Sequence, residues 1–245
     1  MRWMRVQLLA LLLFTAGLCI LLYPSFSQWY HRAGMQRAMT AYGAMVTRLS
    51  LRQDTAESAA LPVPAAGETP LERLRAALAS YNAALYLDGQ RTLCDPFAYE
   101  QPGIDLSCYG IEENVIGVLR IERMEAELPV YLGATEENLK RGVALLGQTS
   151  IPIGGDNTNA VIAGHRGYSG AAMFRSIERL AQGDAVFLDG LFGTLEYRVF
   201  EVRIIDPDDI DAILIQEGRE LLTLMTCHPY RENRQRYVVY CERAE

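Results

Sequence analysis

Three residues of this chain have side chains that together can break and remake an acyl bond. Cys227 closes an apolar, strand-like run in Leu221-Leu-Thr-Leu-Met-Thr-Cys-His-Pro-Tyr230. Arg236 follows nine residues later at the start of a second strand-like run, and His165 lies upstream in Val161-Ile-Ala-Gly-His-Arg-Gly-Tyr168. A thiolate can attack an amide carbonyl and keep the acyl part as a thioester. An imidazolium can protonate the departing amine and later take a proton from an incoming nucleophile. A guanidinium is no base at physiological pH; it can hold the substrate backbone or stabilise the developing negative oxygen. This chemistry needs no metal and no organic cofactor. Each residue also has a plain structural reading, as a packed thiol, a satisfied polar ring or a surface charge. His228 adjoins Cys227 and is the nearer histidine, but neighbours on an extended strand point to opposite faces. That argues for His165 as the proton carrier, unless a turn begins immediately after the cysteine.

The elements that must position these residues change character along the chain. Trp29, Met35, Met39, Tyr42, Met45, Val46 and Leu49 recur at helical spacing. Residues 54–69, with Pro62, Pro64 and Gly67, read as a linker. Thr69-Pro70 then offers a cap and a first-turn proline to a second helix with Leu71, Leu74, Leu78, Tyr81 and Leu85 on one stripe. Beyond residue 115 the runs 115–121, 160–163, 185–188, 195–205, 220–226 and 236–241 are short, strand-like and separated by turn residues. Between them, residues 171–180 predict one short helix facing inward through Met173, Phe174, Ile177 and Leu180. Many short strands with one internal helix fit a mainly β barrel or sandwich rather than a doubly wound sheet.

Arg2 and Arg5 precede an uncharged stretch over residues 6–23, which as a helix reaches roughly 27 Å, enough to cross a bilayer core. The basic flank favours a cytoplasmic N-terminus and an exported remainder, although His31, Arg32 and Arg37 lie beyond the stretch and reduce the asymmetry. A cleaved signal peptide competes with a retained anchor, but no small-x-small site directly follows the run and Leu18 before Cys19 suits lipoprotein processing poorly. After Tyr23 the chain carries about nine more carboxylates than basic side chains, with Lys140 its only lysine, so nothing points to a nucleic-acid partner. Cys94 and Cys108 can pair in an oxidising compartment, a geometry that sequence does not establish. Cys241 reads as a buried, inert thiol, and the cysteine spacing does not suit zinc.

The local contexts add to this reading. Thr-Cys-x-Pro-Tyr followed by Asn233 and Arg236, together with Asn157-Thr-Asn-Ala-Val-Ile-Ala-Gly-His-Arg-Gly-Tyr168, resembles the sortases. More narrowly, it resembles the class C, pilus-assembling members. The resemblance runs from about residue 81 to residue 240 and implies a closed, eight-stranded β-barrel with N-terminal helices packed beside it. It implies His165, Cys227 and Arg236 as catalytic residues, with Thr226 and Asn233 as support, and cleavage after the Thr of an LPxTG-like sorting signal. The acyl-enzyme would then be resolved by an amine. A pilin lysine is the acceptor expected in pilus assembly, and a peptidoglycan precursor amine is the one expected in wall anchoring. Asp95-Pro96-Phe97 resembles the class C lid, whose acid reaches toward the arginine while its ring covers the thiol; a surface turn is the plain reading.

The implied organisation is a short cytoplasmic segment over residues 1–5, a single-pass anchor over 6–23, and an extracellular helical region over 24–89. A lid loop over 90–110 and the catalytic barrel over 111–245 complete it. Two features depart from class C. Many members carry a second, C-terminal membrane helix, whereas the last strand here is followed at once by Glu242-Arg-Ala-Glu245, and His228 stands where a small hydroxyl residue is common. A class B-like or wall-anchoring sortase, a hydrolytic cysteine peptidase and a noncatalytic membrane scaffold stay open. Unperturbed Cys and His titrate at about 8.5 and 6.5, so the thiolate–imidazolium pair is a minority state near neutral pH and acyl transfer should follow a bell-shaped pH profile. If the lid covers the thiol, Asp95→Ala should speed labelling of Cys227 by a thiol reagent; an unchanged rate removes that role.

Overall fold

The computed structural model describes residues 2–58, 69–90, 104, 106–109, 111, 114–168 and 171–244. Its second half closes into a barrel of eight strands: β1 Val115–Ile121, β2 Ala126–Leu132, β3 Val143–Leu145, β4 Thr158–Ala163, β5 Ala185–Gly190, β6 Gly193–Ile205, β7 Glu220–His228 and β8 Gln235–Arg243. Their order around the barrel is β1-β2-β3-β4-β7-β8-β6-β5. Neighbours run antiparallel except β2 with β3 and β4 with β7, which are parallel. Closure leaves no open sheet edge along the ring.

Side-chain alternation divides the strand residues into two packed layers. Leu119, Val130, Val143, Ile162, Val186, Tyr197, Leu222 and Val239, one from each strand, meet in the barrel interior. Val118, Tyr131, Val161, Ala163, Met225, Val238 and Tyr240 point the other way and form an outer layer. Because both faces are covered, β1, β4 and β7 are buried almost throughout rather than alternately.

The outer layer is covered in part by α1 Arg2–Ser58, which contributes Ala38 and Tyr42. α1 joins the apolar stretch and the helix expected after it into one element, with Pro24 inside. It also runs through Asp54 to Ser58, into the expected linker; no Pro or Gly interrupts those residues, and the rest of that linker lies outside the described residues. From Trp3 to Tyr30 its large apolar side chains are exposed, whereas Met35, Ala38 and Tyr42 are buried. The helix is long and apolar enough to cross a membrane. α2 Pro70–Asp88 starts with the expected Thr69 cap, reinforced by Glu72 in a reciprocal capping box, and ends on Gly89 in the left-handed region. Leu74 and Leu78 enter the interior core, while the Asn82 amide donates to and accepts from the Ile151 backbone at 2.9 and 2.8 Å.

Three sequence expectations differ in detail. Residues 171–180 do not form a helix: a turn and a 3-10 segment at Ile177–Arg179 carry them, and Met173 at φ 41 breaks any helical start. Met173, Phe174, Ile177 and Leu180 are nonetheless buried, as their spacing suggested. The short helix between strands is instead α3 Glu136–Arg141, capped by Thr135. β2 and β3 escaped periodicity because β2 carries Pro129 and β3 has only three residues. Pro129 is tolerated because the pairing with β3 begins only at Val130.

A register shift between Val115 and Gly117 takes Ile116 out of the β1–β2 ladder, and the Tyr42 hydroxyl of α1 donates to its carbonyl at 3.1 Å. Burial, with a smaller contribution from Asp189, keeps that phenol well above its ordinary titration range, so it stays a neutral donor. Tyr42→Phe should therefore cost about 1–2 kcal/mol in denaturant unfolding by leaving a buried carbonyl unpaired. A loss under a few tenths of a kcal/mol would show that water replaces the phenol.

Candidate active site

Cys227 and Arg236 face each other as directly paired residues of β7 and β8. Such pairs place their Cβ atoms about 4.5–5.5 Å apart on one face of a sheet. Cys227 shares the face of Met225, and Arg236 that of Val238, so both extend the outer layer. His165 arrives on the same face by a different route. β4 pairs in parallel with β7, with Ala163 opposite Met225, so two further residues along each strand lead to His165 and Cys227. His165 and Cys227 accordingly line one cleft of about 360 Å3, together with Arg166, Gly167, Arg175, Tyr230, Arg231 and Glu232.

The backbone around His165 is pinned on both sides. The buried Thr226 hydroxyl donates to the Gly164 carbonyl at 2.7 Å, and the Gly164 N–H donates to the Met225 carbonyl at 3.1 Å. The Phe174 N–H donates to the His165 carbonyl at 3.1 Å. Gly164 permits this closeness, since a Cβ there would lie 2.8 Å from the Phe174 ring and from Val143. The Tyr168 ring stacks on the His165 imidazole with centroids 4.9 Å apart, and the His31 ring of α1 meets Tyr168 edge-on at 5.9 Å. Burial, and secondarily the Lys140 ammonium in α3, hold the His165 imidazolium below its ordinary titration range.

Arg236 is buried, and its Nη1 donates to the Asn233 side chain at 2.9 Å and to the Gln235 carbonyl at 3.1 Å. Asn233 thus orients the guanidinium from the turn between β7 and β8. Thr226, by contrast, faces the barrel interior and acts on the cleft only through the backbone of Gly164.

His228 lies on the opposite face from Cys227, as strand alternation requires. Its Nδ1 accepts from Arg166 Nη1 at 2.8 Å, Arg166 pairs with Glu178, and the His228 ring sits 5.8 Å from that of Tyr237. A guanidinium offers no acceptor, so His228 Nδ1 is the accepting atom of this pair. Cys241, on the interior face, is fully buried and its thiol is pushed far up by burial, as an inert thiol should be. Asp95, Pro96, Phe97 and Cys94 lie outside the described residues.

Sequence reasoning gave no role to Tyr168, Arg175, Tyr230 or Arg231, although Tyr168 and Tyr230 stood inside the quoted motifs. Nothing in linear spacing marks them, because they reach the cleft through loop closure.

Residues 119–244 match the Sortase domain family. Sortase D of Bacillus subtilis (strain 168) is 32% identical over 130 residues, covering 52% of this chain and 63% of that protein. Sortase A of Bacillus anthracis is 32% identical over 128 residues, covering 52% of this chain and 59% of that protein. The chain thus spans about 60% of the length of these curated relatives. Among solved structures, sortase C1 of GBS pilus island 1 superposes with a TM-score of 0.71 at 27% identity, covering 86% of this chain and 92% of that one. A crystal structure of Streptococcus agalactiae sortase C1 gives a TM-score of 0.67 at 31% identity, covering 74% of this chain and 92% of that one.

Lys140→Met removes a positive charge that opposes the imidazolium, so the His165 titration should move to higher pH when followed by NMR of its ring protons. The acid limb of acyl transfer should move the same way. An unmoved titration would mean that burial alone depresses the ring.

Proposed function

Because this chain belongs to the sortase family, we propose that it is a membrane-anchored cysteine transpeptidase acting on LPxTG-like sorting signals. The observation that carries this reading is the convergence of Cys227, His165 and Arg236 on one face, through the Cys227–Arg236 strand pair and the parallel β4–β7 register. Cys227 is the nucleophile. Its thiolate attacks the carbonyl of the signal's Thr, and the electron pair moves onto the oxygen. Arg236 stabilises that oxygen or holds the adjacent peptide, in a site where a preorganised cation is worth more than in water. Collapse of the adduct expels the downstream amine, which takes its proton from the His165 imidazolium, and leaves a thioester. An incoming amine then attacks the thioester and gives its proton to His165, and Cys227 departs as thiolate.

A pilin lysine is the acceptor we favour. Similarity to a pilus-related sortase over 86% of the chain extends beyond the barrel into the N-terminal helices, which supports the class C reading. A peptidoglycan precursor amine is the other acceptor the mechanism accommodates. Asp95, Pro96 and Phe97 are proposed to form the lid on the strength of their motif alone. The exposed apolar face of α1 supports a single-pass anchor, and Arg2 and Arg5 favour an N-terminus inside and a barrel outside the cell.

Intact-mass analysis with LPxTG-like peptides tests the reading. An acyl adduct present on the native protein and absent from Cys227→Ala is expected, resolved by a lysine-bearing pilin peptide. Resolution only by a peptidoglycan-like amine would assign wall anchoring, and resolution only by water would assign a peptidase. No adduct with any peptide, even after Asp95 and Phe97 are replaced by Ala, would overturn the assignment.

A further inference from the structure

The cleft beside Cys227 holds more positive charge than acyl transfer uses. Arg175, from the segment after β4, and Arg231, from the turn after β7, both lie against Tyr230, with guanidinium carbons 5.8 and 5.6 Å from its ring centroid. Tyr230 is 43% exposed, so the ring and both cations present themselves to the solvent mouth of the cleft. Gly167, at φ +94, lets the Arg175 guanidinium close onto the loop: a Cβ there would lie 2.9 Å from its Nε and Nη2. Arg175 is thereby packed between a backbone and a ring, and loses less freedom when it binds something.

Neither cation is joined to a carboxylate among the described residues. Of the acids nearest in sequence, Glu178 pairs with Arg166, and Glu232, which lines the same cleft, pairs with Arg234. Several other arginines of this acidic chain are matched, Arg120 with Asp189, Arg198 with Glu196, Arg203 with Glu201 and Arg219 with Glu242. Two like charges held against one ring repel each other, and a carboxylate between them would relieve that repulsion while accepting planar, charge-assisted hydrogen bonds.

We propose that Arg175, Tyr230 and Arg231 form a carboxylate-recognising subsite, and that a peptide this chain works on carries an acidic group within reach of Cys227. The proposal rests on the transpeptidase reading. The carboxylate can belong to the acyl donor, at the variable position of the sorting signal, or to the acceptor beside its nucleophilic amine.

The test uses the full-length protein in detergent. In the donor arm, Leu-Pro-X-Thr-Gly peptides with X as Glu, Gln or Lys are compared by kcat/KM of thioester formation. In the acceptor arm, lysine peptides with Glu or Gln beside the lysine are compared by the rate of thioester resolution. In one arm the native protein should prefer Glu over Gln by about three- to fivefold at low salt, the scale of a partly exposed ion pair, and the preference should fade as salt rises. Arg175→Gln with Arg231→Gln should bring the Glu:Gln ratio to about one. Equal Glu:Gln ratios in native and double-variant protein, in both arms and with normal thioester on Cys227, would overturn the subsite and leave the transpeptidase standing. Anisotropy of fluorescent versions of the same peptides on Cys227→Ala protein reads the subsite without chemistry. Loss of the Glu preference on adding the two Gln substitutions supports it even if no acyl transfer is seen, and its absence there in every peptide overturns it.

Discussion

The parallel pairing of β4 with β7 is the constraint on which the site depends. It brings together two strands separated in sequence by β5 and β6 and sets their ends level, so that His165 and Cys227 leave the sheet at the same height. Apolar packing alone would specify this register poorly, since a slip along two equally apolar strands costs little burial. Buried polar residues supply the missing specificity. The Thr223 hydroxyl donates to the Asn159 side chain at 2.8 Å, the Asn159 amide donates to the Ile213 carbonyl at 2.8 Å, and Thr226 holds Gly164. A slip of one residue would leave these groups unpaired in the core and would turn Cys227 to the interior face.

Alternation then divides labour between neighbours on the same strand. Cys227 and Arg236 occupy one face of the β7–β8 pair, the face proposed for chemistry, while Thr226, His228 and Tyr237 lie on the other. The Arg166–Glu178–His228 group shows how this works: a buried guanidinium is paired with a carboxylate and donates to an imidazole nitrogen. It ties the residue following His165 to the residue following Cys227. The two strand ends are therefore coupled twice, by Thr226 to Gly164 and by Arg166 to His228.

The N-terminal helix belongs to the same construction. α1 carries exposed apolar surface over its first part and packs onto the outer layer of the barrel through Ala38 and Tyr42. Through Tyr42 it completes a carbonyl that a strand irregularity frees, and through His31 it supports the ring stacked on His165. The apolar first part of α1 is thus continuous with the part that packs on the barrel.

Local patterns in the sequence carried much of this. The capping of α2, the burial of Leu74 and Leu78, and the positions of six strands follow from neighbours a few residues apart, where backbone geometry repeats. The preference for His165 over His228 also followed from alternation, because the face of a strand residue is a local property. Tertiary structure alone decided what depends on chain closure. β2 and β3 take strand form because a barrel has a gap for them, despite a proline and a three-residue length. Residues 171–180 keep their apolar face but not a helix, because the loop must return to His165 and its pairing with Phe174 outweighs local propensity. The motifs named Cys227, His165 and Arg236, but their meeting is set by register between distant strands. The arrival of Tyr168, Arg175, Tyr230 and Arg231 at the cleft is set by loops, and neither leaves a periodic trace in the chain.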